Sequence, residues 1–165
     1  MLEQEIASII NFILPKAGNP SPYYREVPQD FLLPAAYFPV PEISSRGDTF
    51  NTYALEYLWF IKIFHTDVTL AYELAFSVLT AMQGARNLVP LIDTDGNQIN
   101  QGVRLKDPSL RKIDGKPSVV QLELSWDSPR PYDTPEEQKS VAPKLNLYTR
   151  NAYDAAVKQV QDEQV

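Results

Sequence analysis

The segment 51-NTYALEYLWFIKIF-64 sets the strongest constraint on the fold. Read with the two-residue period of a β-strand, it puts Tyr53, Leu55, Tyr57, Trp59, Ile61 and Ile63 on one face. The other face carries Ala54, Glu56, Leu58, Phe60, Lys62 and Phe64, so that two charges interrupt three large hydrophobes. An antiparallel strand ordinarily buries one face and gives the other to water. At about 3.3 Å per residue this one runs roughly 40 Å, beyond the usual length. Leu58, Phe60 and Phe64 are each worth about 1.5–3 kcal/mol when withdrawn from water, and left wet together they invite aggregation. Two covers would satisfy them. The chain's own N-terminal helix and proline-rich arm can fold back over the face, or a neighbouring subunit can cover it, with Glu56 and Lys62 finding partners across the contact. The arm favours the neighbour, because extended segments wrap another subunit without exposing an unpaired sheet. The expected subunit interface is therefore Glu56, Leu58, Phe60 and Lys62.

The rest of the chain supplies the layers around this strand. Leu2, Ile6, Ile9, Ile10 and Ile13 recur at helical spacing, which predicts an amphipathic helix over 2–14 stopped by Pro15. Residues 15–41 hold seven of the fourteen prolines, a density that forbids a regular helix and favours an extended arm. Within it 35-AAYFPVPEI-43 can serve as an edge strand, with 44-SSRGDTF-50 as the loop into the long strand. The clearest helix is 67-DVTLAYELAFSVLTAMQG-84, with Thr66 or Asp67 as N-cap and Gly84 as stop. Its polar residues Thr69, Glu73, Ser77 and Thr80 form one narrow stripe, which predicts burial around most of its circumference. Then come 88-LVPLID-93, a hairpin signal at 95-DG-96, a second at 114-DG-115, and the alternating 118-SVVQLELSW-126 with Val120, Leu122, Leu124 and Trp126 on one side. Residues 127–143 turn polar and proline-rich, and Ala152, Ala155, Ala156, Val157 and Val160 mark a last helix at about 150–163. This order predicts an α+β fold: a mostly antiparallel sheet packed on one long buried helix, with an N-terminal helix, a Pro-rich arm and a C-terminal helix. Residues 1–127 form the α+β domain and 128–165 a Pro-rich connection and helical tail.

The chemistry available is narrow. The chain has 165 residues, 44% of them hydrophobic and 22% charged, which is enough apolar material for a core and argues against global disorder. A net charge of −6 argues against a surface built to hold phosphates, hence against specific nucleic-acid binding. The start MLEQEIASIINFILP lacks a basic n-region, and its apolar run is far short of the roughly 20 residues that span a bilayer, so a soluble protein made in the cytoplasm, without a membrane partner, is expected. Cysteine is absent and His65 is the only histidine, so neither a typical zinc site nor a Cys nucleophile can be built. There is no G-x-S-x-G elbow for a triad. The stretch 93-DTDGNQINQGVR-104 fails as a calcium loop, because Gln98 and Arg104 stand where Gly and Glu are required. Gly115-Lys116 fails as a P-loop, with Leu110 and Pro117 at the flanking positions. Arg46-Gly47-Asp48 is read as a turn. The carboxylate pairs Glu136-Glu137 and Asp162-Glu163 are adjacent and do not face one another. No enzyme and no cofactor is expected. One local feature remains: Arg104, Lys106, Arg111, Lys112 and Lys116, opposed by Asp107 and Asp114, make a basic loop on an acidic protein. It reads as a solvated hairpin surface or, with Arg104, Lys106, Arg111 and Lys112 as contacts, as a docking surface.

In element order and texture the chain resembles the tail terminator (tail completion) proteins of long-tailed bacteriophages and phage-tail-like particles. The resemblance is carried by the short N-terminal helix, 37-YFPVPEI-43, 51-NTYALEYLWFIKIF-64 followed at once by the helix at 67–83, and the strands ending in 118-SVVQLELSW-126, over residues 1–127. It implies a small α+β subunit that assembles with itself, as a hexameric ring, on the last ring of the tail tube protein. That ring ends tube polymerisation and offers a joining surface to a head-completion or connector protein, in a virion assembled in the host cytoplasm. It implies no reaction and no cofactor. A head–tail connector or stopper subunit, and a monomeric cytoplasmic protein-binding domain, are the alternatives.

Overall fold

The computed structural model describes residues 4–24, 26–115 and 117–133. The chain divides into two units, Met1–Arg130 and Pro131–Val165, and the elements below belong to the first, save the last residue of the final strand. The helix expected at about 150–163, the carboxylate pairs at 136–137 and 162–163, Leu2 and Lys116 lie outside the described residues. In order the elements are α1 (Gln4–Lys16), β1 (Ser21–Tyr23), β2 (Ala35–Tyr37), β3 (Glu42–Gly47), β4 (Thr52–His65), α2 (Val68–Gly84), β5 (Leu88–Ile92), β6 (Gln98–Ile113) and β7 (Ser118–Pro131). The fold is α+β, as expected.

The described strands form one seven-stranded sheet in the order β1-β2-β4-β7-β6-β5, with β3 pairing β4 beside that path. The β1–β2 pair is parallel; β2–β4, β3–β4, β5–β6 and β6–β7 are antiparallel. Both helices lie on one face of this sheet. Ile6, Ile9, Ile10 and Ile13 of α1 and Val78 and Met82 of α2 bury against Tyr57, Trp59 and Ile61 of β4 and Leu122, Leu124 and Trp126 of β7. A smaller cluster joins Ala71 and Ala75 of α2 to Ile63 and Val120. The expected inner faces of β4 and β7 are thus the ones buried. The two tryptophans sit at the centre: Trp126 stacks on Tyr57 at 4.6 Å and stands edge-on to Trp59 at 6.1 Å. Each indole N–H is satisfied, Trp59 donating to the Pro39 carbonyl at 2.6 Å and Trp126 to Glu5 Oε2 at 3.1 Å.

Five local expectations are corrected. Pro15 lies in the last turn of α1 rather than beyond it; the helix ends in left-handed residues, Gly18 at φ 75° and Asn19 at φ 55°. The segment 15–41 is not simply an arm, because β1 and β2 add to the sheet edge there. The loop expected at 44–50 is largely strand β3, and the turn is confined to the residues between Gly47 and Thr52. Helix α2, capped at its start by Asp67 as expected, runs through Gly84 to a C-cap at Ala85, and the left-handed residues are Arg86 and Asn87. Nor is it buried around most of its circumference. Ala71, Ala75, Val78 and Met82 form its buried stripe, whereas Leu70, Tyr72 and Phe76 are exposed beside the polar stripe. A helix on a sheet buries only the side it lays down, and α1 takes the rest of the platform.

The edge strand β5 is guarded by α1. Ser8 Oγ accepts from the Ile92 N–H at 3.0 Å and Gln4 Nε2 donates to the Ile92 carbonyl at 2.7 Å, so groups that would otherwise template a further strand are occupied.

Candidate functional site

With both helices on one side, the alternation of β4 sends Glu56, Leu58, Phe60, Lys62 and Phe64 to the other. That helix-free face is the second face whose cover the sequence leaves open, and the structure divides the answer. Helix α1 does not fold back over it, because α1 packs with α2. The segment between β1 and β2 reaches only one of the three hydrophobes: Phe31 meets Phe64 edge-on at 5.1 Å and is itself met by Tyr23 at 6.1 Å. Leu58 and Phe60 stay half-buried and line two shallow grooves.

Neighbouring strands build those grooves. Register places Glu42 opposite Leu58, Ser44 opposite Glu56 and Arg46 opposite Ala54 across β3–β4, and Tyr37 opposite Lys62 across β2–β4. The first groove is lined by Glu42, Ile43, Ser44, Glu56, Leu58, Lys106, Ser125 and Asp127. The second is lined by Tyr37, Pro39, Val40, Glu42, Phe60, Lys62, Arg111 and Gln121, and Glu42 makes the two contiguous. Residues from β2, β3, β4, β6 and β7 therefore meet on one surface.

Charges cross this surface in an alternating line. Arg46 Nε donates to Glu56 Oε1 at 2.5 Å and Arg46 Nη2 to Asp127 Oδ2 at 3.1 Å, while Lys106 Nζ reaches Asp127 Oδ1 at 2.5 Å. Hydrogen bonds from Lys106, then Arg46, hold the Asp127 carboxyl below the usual carboxylate range. Glu56 and Asp127 in turn push the Arg46 guanidinium above its ordinary value. These groups are partly in water, where screening leaves each pair little net stabilisation. Their main effect is positional: four side chains are held in one arrangement across β3, β4, β7 and β6.

The eight residues singled out in the sequence fall as follows. Glu56, Leu58, Phe60 and Lys62 all lie on the helix-free face. The basic loop is not a loop: Arg104, Lys106, Arg111 and Lys112 lie on strand β6. Lys106 and Arg111 join the helix-free face, in the first and second groove respectively. Arg104 lies at the β5 end of the ladder, opposite Leu88, and donates to the Arg86 carbonyl at 3.1 Å. Lys112 stands opposite Val120, on the helix side, 3.5 Å from Asp114. The two patches read separately are thus brought together through Phe60, Lys62, Arg111 and Lys106. Sequence reasoning missed Arg46, Asp127 and Tyr37. A hairpin folded about residues 48–51 would have set Arg46 beside Glu56; the link to Asp127 needs the β4–β7 neighbourhood, which no local pattern encodes.

The remaining polar features have local partners. Asp93 accepts from the N–H groups of Asp95 (2.9 Å) and Asn97 (2.8 Å), a turn that keeps its carboxyl ionised to lower pH than usual. His65 Nδ1 accepts from the Thr66 N–H at 2.9 Å. Among the described residues no group of three His, Cys, Asp or Glu side chains is placed to hold a metal, and no helix is long and apolar enough to cross a membrane.

Comparison with known proteins places the chain. No family model matches it. The uncharacterized protein YqbJ of Bacillus subtilis (strain 168) is 30% identical over 140 residues, which is 85% of this chain and 93% of that protein. The phage-like element PBSX protein XkdJ of the same strain is 30% identical over 137 residues, 82% of this chain and 91% of that protein. Among solved structures, a chain of the virion of the native gene transfer agent (GTA) particle is 12% identical, with a TM-score of 0.45, over 77% of this chain and 94% of that one. Identity of 30% along more than nine-tenths of both curated relatives shows that this chain belongs to the phage-related family of YqbJ and XkdJ.

Proposed function

We propose that the chain is a structural protein of a phage or phage-like particle, and specifically a tail terminator. It forms a ring, hexameric by preference, that caps the tail tube, ends its polymerisation and presents a surface to the head-completion or connector protein. It acts at the head-proximal end of the tail, assembled in the host cytoplasm, and has a binding role rather than a catalytic one.

The observation that carries this reading is the helix-free face. It spans five strands, exposes Val40, half-exposes Leu58 and Phe60, and interleaves them with positioned charges. A surface with an apolar floor and charges fixed in register is complementary to another protein surface. Kinship with a phage-like element protein supports the setting. The helix-free face that the chain's own arm leaves half-covered at Leu58 and Phe60 supports a self-assembling subunit over a monomeric binding domain.

Phe60→Asp tests it. Phe60 points away from both helices, so the variant keeps the far-UV circular dichroism and cooperative melting of the unaltered chain while its oligomer, on native mass spectrometry, falls at least tenfold. Collapse of the circular dichroism would instead make Phe60 part of the subunit core, and an undiminished oligomer would remove the helix-free face from the contact.

A further inference from the structure

The turn between β3 and β4 has an unusual tip. Phe50 is 103% exposed relative to an extended reference, whereas the turn that carries it is closely hydrogen-bonded. The N–H groups of Asp48 and Thr49 donate to the Thr52 carbonyl (3.2 and 3.0 Å), and those of Asn51 and Thr52 donate to Thr49 Oγ1 (3.2 and 3.1 Å). Thr52 Oγ1 donates to Asp48 Oδ2 at 3.0 Å. The chain thus holds a phenyl ring out into solvent on a stiff mount, which lowers the ordering cost of seating it elsewhere. Aromatic side chains on such mounts are the usual anchors of protein contacts.

The second groove has the matching chemistry. Tyr37 and Phe60 form its floor, Val40, 79% exposed, forms its rim, and Lys62 and Arg111 make no ion pair among the described residues. The tip offers an aromatic ring for Tyr37 and Phe60 and, two residues away, the Asp48 carboxylate for Lys62 and Arg111, two cations that share the groove with the one carboxylate of Glu42. Among the described residues the Asp48 carboxylate meets the Thr52 hydroxyl and, at 4.0 Å, the Arg46 guanidinium, itself shared with Glu56 and Asp127. The tip cannot serve its own groove. Val40 and Phe50 lie beyond opposite ends of the six-residue β3, which spans roughly 20 Å at about 3.4 Å per residue.

We infer that the β3–β4 tip of one copy docks in the Tyr37–Val40–Phe60–Lys62–Arg111 groove of the next copy. The contact joins two different patches, so it is heterologous and propagates around a ring. The inference rests on the self-assembling reading above and specifies its geometry.

The absence of cysteine from the sequence permits a direct test. The double variant Val40→Cys/Phe50→Cys of the full chain is oxidised at high protein concentration and run on a non-reducing gel, beside each single variant. A disulfide needs Cα atoms within about 7 Å, so the pair cannot close inside one copy. The expected result is a ladder of dimer, trimer and higher species from the double variant, absent from both singles and abolished by Arg111→Glu. A crosslinked dimer from a single variant would reveal a symmetric contact and overturn the inference. No ladder, while the unaltered chain is an oligomer by native mass spectrometry, would overturn the docking geometry and leave the ring. No ladder and no oligomer would overturn both.

Discussion

Trp59 and Trp126 are the residues on which the core turns. Each has a fully buried ring, an aromatic neighbour and a satisfied N–H. Trp59→Ala removes the largest of these volumes and leaves the Pro39 carbonyl without its donor, so urea denaturation of the variant should show a loss of about 3–5 kcal/mol. A loss under about 1 kcal/mol would mean that the ring is not packed as described. At the surface, Asp127 makes a second single-residue prediction. Its carboxyl is held low by Lys106 first and Arg46 second. A depressed carboxyl stabilises the fold at every pH above the unfolded carboxylate value, and that contribution is lost as pH falls through the lower, folded value. Carbon-detected NMR titration should place Asp127 below an ordinary aspartate, and Lys106→Ala should move it upward; an unchanged titration would remove Lys106 from the network.

At the scale of elements, the cap of α2 is the plainest test. Asp67 Oδ1 accepts from the N–H groups of Thr69 at 2.7 Å and Leu70 at 3.3 Å, so Asp67→Ala should cost about 0.5–2 kcal/mol in thermal or urea unfolding. No change would mean that the first turn is capped by water as well as by Asp67. This cap, α1, β4 and β7 were all readable in advance, because each rests on a local period: isoleucines at helical spacing, alternation about Trp59, and Val120 to Trp126. Strand β6 was not readable, for a physical reason. Val103 and Leu105 are buried before the bulge, Pro108 and Leu110 turn inward after it, and the register shifts between Lys106 and Ser109 with Asp107 at φ 37°. One inserted residue reverses the alternation, and a strand then resembles a basic loop. Strand β3 is exposed along its whole length and carries no apolar period to betray it. The outer side of α2 was misjudged because its composition is apolar nearly all round. Composition cannot say that Tyr72 and Phe76 would face outward, stacked on each other at 6.2 Å.

The whole molecule adds what no segment contains. The strand order β2-β4-β7-β6 carries Lys62, Gln121 and Arg111, far apart in sequence, into one groove. It also converts two separately suspected patches into a single helix-free face. The same order explains why the long strand tolerates large side chains on both sides. One side is closed by two helices, one residue of the other is met by Phe31, and Leu58 and Phe60 stay half-buried. An acidic chain with an open, charge-ordered apolar face and a projecting aromatic tip is suited to repetition with itself. The measurement that bears most directly on this account is native mass spectrometry of the unaltered full chain, alone and mixed with the tail-tube protein of the same particle. A hexamer is expected in at least one of the two samples. A monomer in both would contradict it and leave the helix-free face without the neighbour proposed for it.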